Sequence, residues 1–415
     1  MIDRPHLLPG LAATLAIALL VGTAGVDGRA TADASTTVEI DSQIAAAFTA
    51  AYNLDQDAAL VSARAAVAAG PDVSRAHRAL ASIVWLQTLF ARGAVTVDHY
   101  MGGLTNATLN LPKPPADLAR TFHDSTARAI ATAEAARRRD RRDMAALHDL
   151  GTAYGLQASW IASVEGSVMS AFGVARKAYN AEEEVLERDP NRVGAGTVIG
   201  TYRYAVASLG LTSRMFAYLA GFGGDRNKAI SLLEAASRTG DSRFEARTAL
   251  VLIFSREGRH ADALRLLSQM VAEYPRNRIL VLEQGAAAIR AGRAKDADEI
   301  LSRGLAALDR DTRKRIPGER ALWLYKRGLA KLNQNLPTDA AADFTLAMSA
   351  QPEPWVAGRL HLEFGKIADM AGRRNDALTR YRLARDLAKN SNDPACLNDA
   401  DRFLRQPFRM GGRLG

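Results

Sequence analysis

Short amphipathic stretches recur along the chain, each with an alanine set inside its apolar face. The anchor positions are Ala59, Ala129, Ala178, Ala229, Ala263, Ala297, Ala340 and Ala377. Apolar or small residues follow four and seven positions later, except for Glu182 after Ala178, and proline often twelve positions later. Positions i, i+4 and i+7 share one face of a helix, so each stretch predicts an amphipathic helix with a small residue at its centre. The separations between anchors are 70, 49, 51, 34, 34, 43 and 37. Two successive gaps equal 34, and the others read as 34 or 68 plus an insertion. Self-similarity at a fixed period of this size predicts an array of supersecondary units.

The clearest unit is 244–277, with Leu250 at its position 7, Phe254 at 11, Gly258 at 15, Ala263 at 20, Leu267 at 24 and Pro275 at 32. Unit 278–311 repeats it with Gly285 at 8, Gly292 at 15, Ala297 at 20 and Leu301 at 24. Unit 321–354 offers Leu324, Gly328, Ala340, Phe344, Ala347 and Pro352 at 4, 8, 20, 24, 27 and 32. Unit 358–391 has Gly365, Gly372, Ala377, Tyr381 and Ala384 in the matching places. Small residues at 8 and 20 let two helices approach closely, larger ones fill the space around them, and proline stops the second helix. One such hairpin cannot bury its face alone, so neighbours must stack. This spacing resembles the tetratricopeptide repeat throughout 244–391. The resemblance implies an all-α fold: a right-handed superhelical solenoid of antiparallel helix pairs, with about seven or eight hairpins from the period.

Upstream the match is looser. Ala59 before Pro71, Ala129 leading into Leu147, Leu150, Gly151 and Tyr154, and Ala178 before Pro190 each resemble a junction between repeats. Extra residues fall at 93–117, 157–172 and 205–221. The first has a loop composition, with Gly93, Gly102, Gly103, Pro112, Pro114 and Pro115. The other two are apolar and read as lengthened helices. The expected organisation is therefore a leader at 1–34, divergent repeats at 35–230, a regular array at 231–391 and a capping segment or tail at 392–415. Within that tail, 402–409 is expected to cover the last apolar face.

The leader rests on an uncharged run from Leu7 to Val26, followed by Ala30-Thr-Ala32 or Ala32-Asp-Ala34. That is the pattern of a secretory signal peptide. The competing reading is an uncleaved anchor at 7–26, which Pro9, Gly10 and Gly22 weaken as a continuous span. Export to the periplasm or medium of a bacterium is the expectation.

Composition narrows the chemistry. Hydrophobic residues make up 48% and charged residues 24%, enough to build a core and to exclude wholesale disorder. The lone cysteine, Cys396, excludes an internal disulfide and any cysteine-rich metal site. A net charge of +9 favours acidic partners. The densest basic run, Arg137 to Arg142, lacks interleaved aromatics and reads as a helix terminus, so nucleic acid is not expected as a partner. His99, His123 and His148 form no metal-binding pair, and neither a metal nor a cofactor is expected. Gly194, Gly196 and Gly200 miss the spacing of a dinucleotide loop and follow no strand pattern, so close helix packing explains them better. The charge-poor stretches 155–175 and 193–224 suit buried helices, with peripheral membrane contact as the alternative.

The tetratricopeptide resemblance implies a concave face built from the first helix of each repeat, through positions 2, 5, 9, 12 and 13. Carried over, those positions name Tyr204, Arg256, Arg290, Tyr325 and Asn333, with Thr248 and Arg359 nearby. Leu282, Leu329 and Leu332 would make part of the face apolar. The implied function is non-catalytic: a protein or peptide is bound, and the chain serves as a scaffold or adaptor of the cell envelope. Two other readings remain open. One is a membrane-anchored assembly factor. The other is an enzyme with a site at 93–117, which requires polar groups and a perturbed carboxylate or histidine to converge there.

Overall fold

The computed structural model describes residues 34–101, 113–208, 224–238, 240 and 242–410. Residues 1–33 of the expected leader at 1–34, 102–112 of the insertion at 93–117 and 209–221 of the insertion at 205–221 lie outside them. Every regular element among the described residues is a helix. In chain order these are α1 (Ala34–Tyr52), α2 (Gln56–Ala69), α3 (Ser74–Ala91), the single turn α4 (Asp98–Met101), α5 (Ala116–Arg139) and α6 (Met144–Ser163). Next come α7 (Val168–Arg188), α8 (Ala195–Ala207), α9 (Arg226–Ala236), α10 (Arg243–Arg256), α11 (His260–Glu273) and α12 (Arg278–Arg290). The last six are α13 (Ala294–Arg310), α14 (Glu319–Asn333), α15 (Pro337–Ser349), α16 (Pro354–Met370), α17 (Arg374–Asn390) and α18 (Pro394–Arg405).

They form two compact units, one ending at Glu257 and the other running from Gly258 and taking in 95–101. The sequence places its change in regularity earlier, at 230. Within each unit, successive long helices pack on one another. Alternate helices also touch: α1, α3, α6, α8 and α10 in the first unit, and α12, α14, α16 and α18 in the second. These are the first helices of the hairpins, and within each unit they form a layer, with the second helices behind them. Short connections force neighbouring helices antiparallel, so the fold is all-α and built as a solenoid of helix pairs.

The small residues do what the spacing predicts. A Cβ on Gly285 would lie 2.5 Å from Leu301, one on Gly328 would lie 2.3 Å from Phe344, and one on Gly365 would lie 2.4 Å from Tyr381. Position 8 of each first helix thus receives the side chain at position 24 of its partner. Position 15 reverses the chain in the left-handed region, as glycine at 258, 292 and 372 and as Asn335 in the unit between. Glycine reaches that region without a Cβ clash, and asparagine tolerates it better than most residues.

In the first unit, α6 and α7 are long, and residues 155–163 of α6 are almost wholly buried, with Trp160 stacked on Phe122 at 4.1 Å. No described helix is long and apolar enough to cross a membrane. Gly196 and Gly200 let α8 approach α9, where added Cβ atoms would meet the carbonyls of Leu232 and Ala229 at 3.0 and 2.8 Å. The basic run ends α5 at Arg139, and Asp140 accepts the Arg142 amide at 2.8 Å. In the second unit α18 lies on α17, with Phe403 against Tyr381 at 5.5 Å and Phe408 edge-on to Phe403 at 5.4 Å. Asp369 accepts the Phe408 amide at 2.8 Å, which holds the chain after α18 over the last apolar face.

Candidate peptide-gripping face

The first helices of the second unit bring three of the expected residues into one place. Arg290 comes from the end of α12, Tyr325 from α14 and Arg359 from the start of α16. The face they help to build is occupied by residues 95–101 of the chain itself.

Asp98 is the centre of the contact. One carboxylate oxygen takes the Lys326 ammonium, and the other takes Arg359 Nη1 at 2.9 Å. Arg359 is held from behind by Asp393, which caps α18 and accepts from Arg359 Nε at 2.6 Å. The guanidinium also lies over Trp355, 4.8 Å from the ring centre. One residue earlier, the Val97 amide donates to Glu283 Oε1 at 3.2 Å. Arg290 lies 3.7 Å from the other oxygen of Glu283. His99 packs edge-on against Trp355 at 5.2 Å, with its Nδ1 2.8 Å from Thr96 Oγ1. The face therefore reads three features of a peptide: an acidic side chain, a backbone N–H and a ring beside them.

Burial sharpens these charges. Lys326 is only 4% exposed and Tyr325 also 4%, so the ions interact with little screening by water. Burial alone would raise the Asp98 pKa, but Lys326, Arg359 and Arg290 outweigh it and hold the carboxyl well below the usual carboxylate range. Burial works against the Arg359 cation, yet Asp393 and Asp98 drive its pKa up. Burial, helped by the nearby Asp98 charge, raises the Glu283 pKa against the pull of Arg290 and Lys326. Burial pushes His99 down to about 4 although Asp98 acts the other way. At neutral pH the imidazole is therefore uncharged.

The remaining expected residues lie elsewhere. Asn333 is exposed at the end of α14 and donates back to the Leu329 carbonyl at 2.8 Å. Tyr204 and Arg256 belong to the first unit. Tyr204 is 2% exposed, and its hydroxyl donates to Glu257 Oε1 at 2.7 Å. Burial lowers the Arg256 pKa, partly offset by Tyr204 and Glu257. Tyr204 is buried and Arg256 half-buried. Thr248 donates to the Phe244 carbonyl within its own helix at 2.9 Å.

Lys326 and Glu283 were missed because position 6 of the repeat was not among the lining positions. A signal for them exists: Glu283, Lys326 and Glu363 place a charge at position 6 of three units, inside otherwise apolar helices. All three are buried. Charged residues are rarely buried unless paired, so that recurrence marks an interior contact.

The other candidates for chemistry are accounted for by packing. His148 Nδ1 lies 2.8 Å from the buried Glu182, and His123 lies 3.7 Å from Glu165. Among the described residues no group of three or more His, Cys, Asp or Glu is placed to hold a metal ion. Cys396 is buried in the first turn of α18, and burial pushes its thiol up to about 12. Its thiolate, the nucleophilic form, is therefore scarce at neutral pH.

No curated protein matches the sequence. Among solved structures, a tetratricopeptide repeat protein from Parabacteroides merdae is 16% identical, covers 78% of this chain and 97% of its own, and has a TM-score of 0.29. Yeast Tom70 is 11% identical over 86% of this chain and 87% of its own, with a TM-score of 0.38. The tetratricopeptide domain of P58(IPK) is 14% identical over 88% of this chain and 98% of its own, with a TM-score of 0.25. Residues 255–313, which hold α11, α12 and α13, match the tetratricopeptide repeat family.

Proposed function

We propose that the chain is a non-catalytic scaffold that binds a protein or peptide through the first-helix layer of its repeats, and that it acts as an adaptor in a bacterial cell envelope after export. The observation that carries the binding role is the grip on Asp98, where buried Lys326 and half-buried Arg359 share one carboxylate on a peptide segment. A face that holds one short segment by its acid and its backbone has the chemistry to hold another. The export role rests on the apolar run and small-residue pattern at 7–34.

Affinity capture with the full-length chain from an envelope fraction tests the binding role. A discrete protein recovered in stoichiometric amount supports it, and recovery of none at low and moderate salt overturns it. N-terminal sequencing of the protein from its host tests export: a start just after Ala32 or Ala34 is expected, and a start at Met1 favours the anchored form.

The enzyme reading has one observation in its favour, because polar groups with shifted pKa values do converge on 95–101. The arrangement suits holding better than reacting. Both Asp98 oxygens are taken by cations, and a carboxylate held so far below neutral pH is a poor proton acceptor. His99 Nδ1 is engaged by Thr96.

A further inference from the structure

We propose that residues 95–101 are an internal ligand that keeps the first-helix face of the second unit shut, and that the face opens only in exchange for a partner segment bringing its own carboxylate between Lys326 and Arg359. This rests on the scaffold reading above and adds to it a partner chemistry and a gate.

The exchange follows from what opening leaves behind. Arg359 keeps Asp393, at 2.6 Å, whether or not Asp98 is present. Lys326 has weaker support: Asp98 is its contacting ion-pair partner among the described residues, Glu283 acts on it only through longer-range charge, and the ammonium sits 4% exposed on α14. Withdrawing Asp98 strands a buried cation, which is strongly unfavourable. A second carboxylate cancels that cost, whereas a neutral side chain does not. The face thus discriminates by charge, and an unliganded open state is disfavoured.

The internal segment is also a ligand that another peptide can replace. Its polar anchors include one ion-paired carboxylate and one amide, Val97 N–H to Glu283, which other peptides can supply, and Val97 and Tyr100 are buried with them. Buried ion pairs contribute little net stability once desolvation is counted, so exchanging one acid for another is near balance. On the chain before the segment, Gly93 lies at φ +71, in the left-handed region where glycine turns most freely.

The probe is a fluorescent peptide of the chain's own sequence, Ala94-Val-Thr-Val-Asp98-His-Tyr-Met101, with a second peptide carrying Asn in place of the acid. Binding to the full-length chain is followed by anisotropy. Asp98→Asn weakens the internal ligand, so that variant should take the acidic peptide at least about tenfold more tightly than the unsubstituted chain. Neither chain should take the Asn peptide, and adding Lys326→Met to Asp98→Asn should abolish binding. Equal binding by the two chains, equal binding of the two peptides, or no binding by a folded Asp98→Asn chain overturns the inference. If that variant does not fold, hydrogen exchange at the Val97 amide of the unsubstituted chain decides instead. Exchange should quicken with excess acidic peptide and not with the Asn peptide, and an unchanged rate in both overturns the proposal. If the peptides fail while the chain still captures an envelope protein, only the gate is lost. If the peptides exchange as expected and no envelope protein is captured, it is the scaffold reading that is lost.

Discussion

Gly328 shows how one hydrogen atom in place of a methyl group sets the distance between two helices. Its missing Cβ is the space into which Phe344 inserts, so Gly328→Ala forces the ring or the helix to move. The expected cost is about 1–3 kcal/mol, read as a lower urea midpoint. Gly292 makes a different demand. Nothing lies within 4 Å of where its Cβ would be, but φ is +75, so Gly292→Ala should cost only the backbone penalty of about 1–2 kcal/mol. A larger loss at 292 than at 328 would reverse the roles assigned to the two glycines. Lys326 carries a third demand. Lys326→Ala leaves Asp98 buried with Arg359 alone and should cost about 3 kcal/mol or more, measured by chemical denaturation. Both glycines could be read from the repeat, because a small residue at a fixed position has a steric meaning wherever helices pair. Lys326 could be suspected from its register, but its partner could not.

Elements behave according to whether their contacts are near or far in sequence. The helix α18 buries Cys396, Ala400 and Phe403 in one cluster with Tyr381 and Ala384. Phe403→Ala should therefore loosen the end of the array by about 3 kcal/mol, seen as faster hydrogen exchange in α17 before global unfolding. The segment 95–101 is held by charges that titrate. His99 has a folded pKa of about 4 against an ordinary 6.5, so the unfolded chain binds more protons between those values. Stability from this group is complete above pH 6.5 and is lost as pH falls towards 4. Asp98, with its pKa also depressed, adds a loss only below the ordinary carboxylate range. The groups facing His99 are Asp98, Thr96, Trp355, Arg359, Lys326 and Asp393. The amide protection of 95–101 should fall between pH 6.5 and 4, and His99→Gln should flatten that dependence. An unchanged slope in the variant would remove His99 as the cause.

At the level of the whole chain, the period of 34 predicts helix pairs that pack in chain order, because within each unit successive long helices touch and lie a short distance apart in sequence. Small residues at 8, turn formers at 15 and prolines after the second helix act locally, so their meaning survives without coordinates. The grip on residues 95–101 has no such period. Asp98 meets residues 228 and 261 positions further on, and nothing in the sequence around Val97 or Asp98 announces that separation. Arg290, Tyr325 and Arg359 lie on first helices, and residues 95–101, from a loop-like insertion, lie against them. Hydrophobic and steric patterning is repetitive and encodes pairing between neighbours. Long-range charge complementarity is a single event, and it became visible once the chain path brought its two halves together.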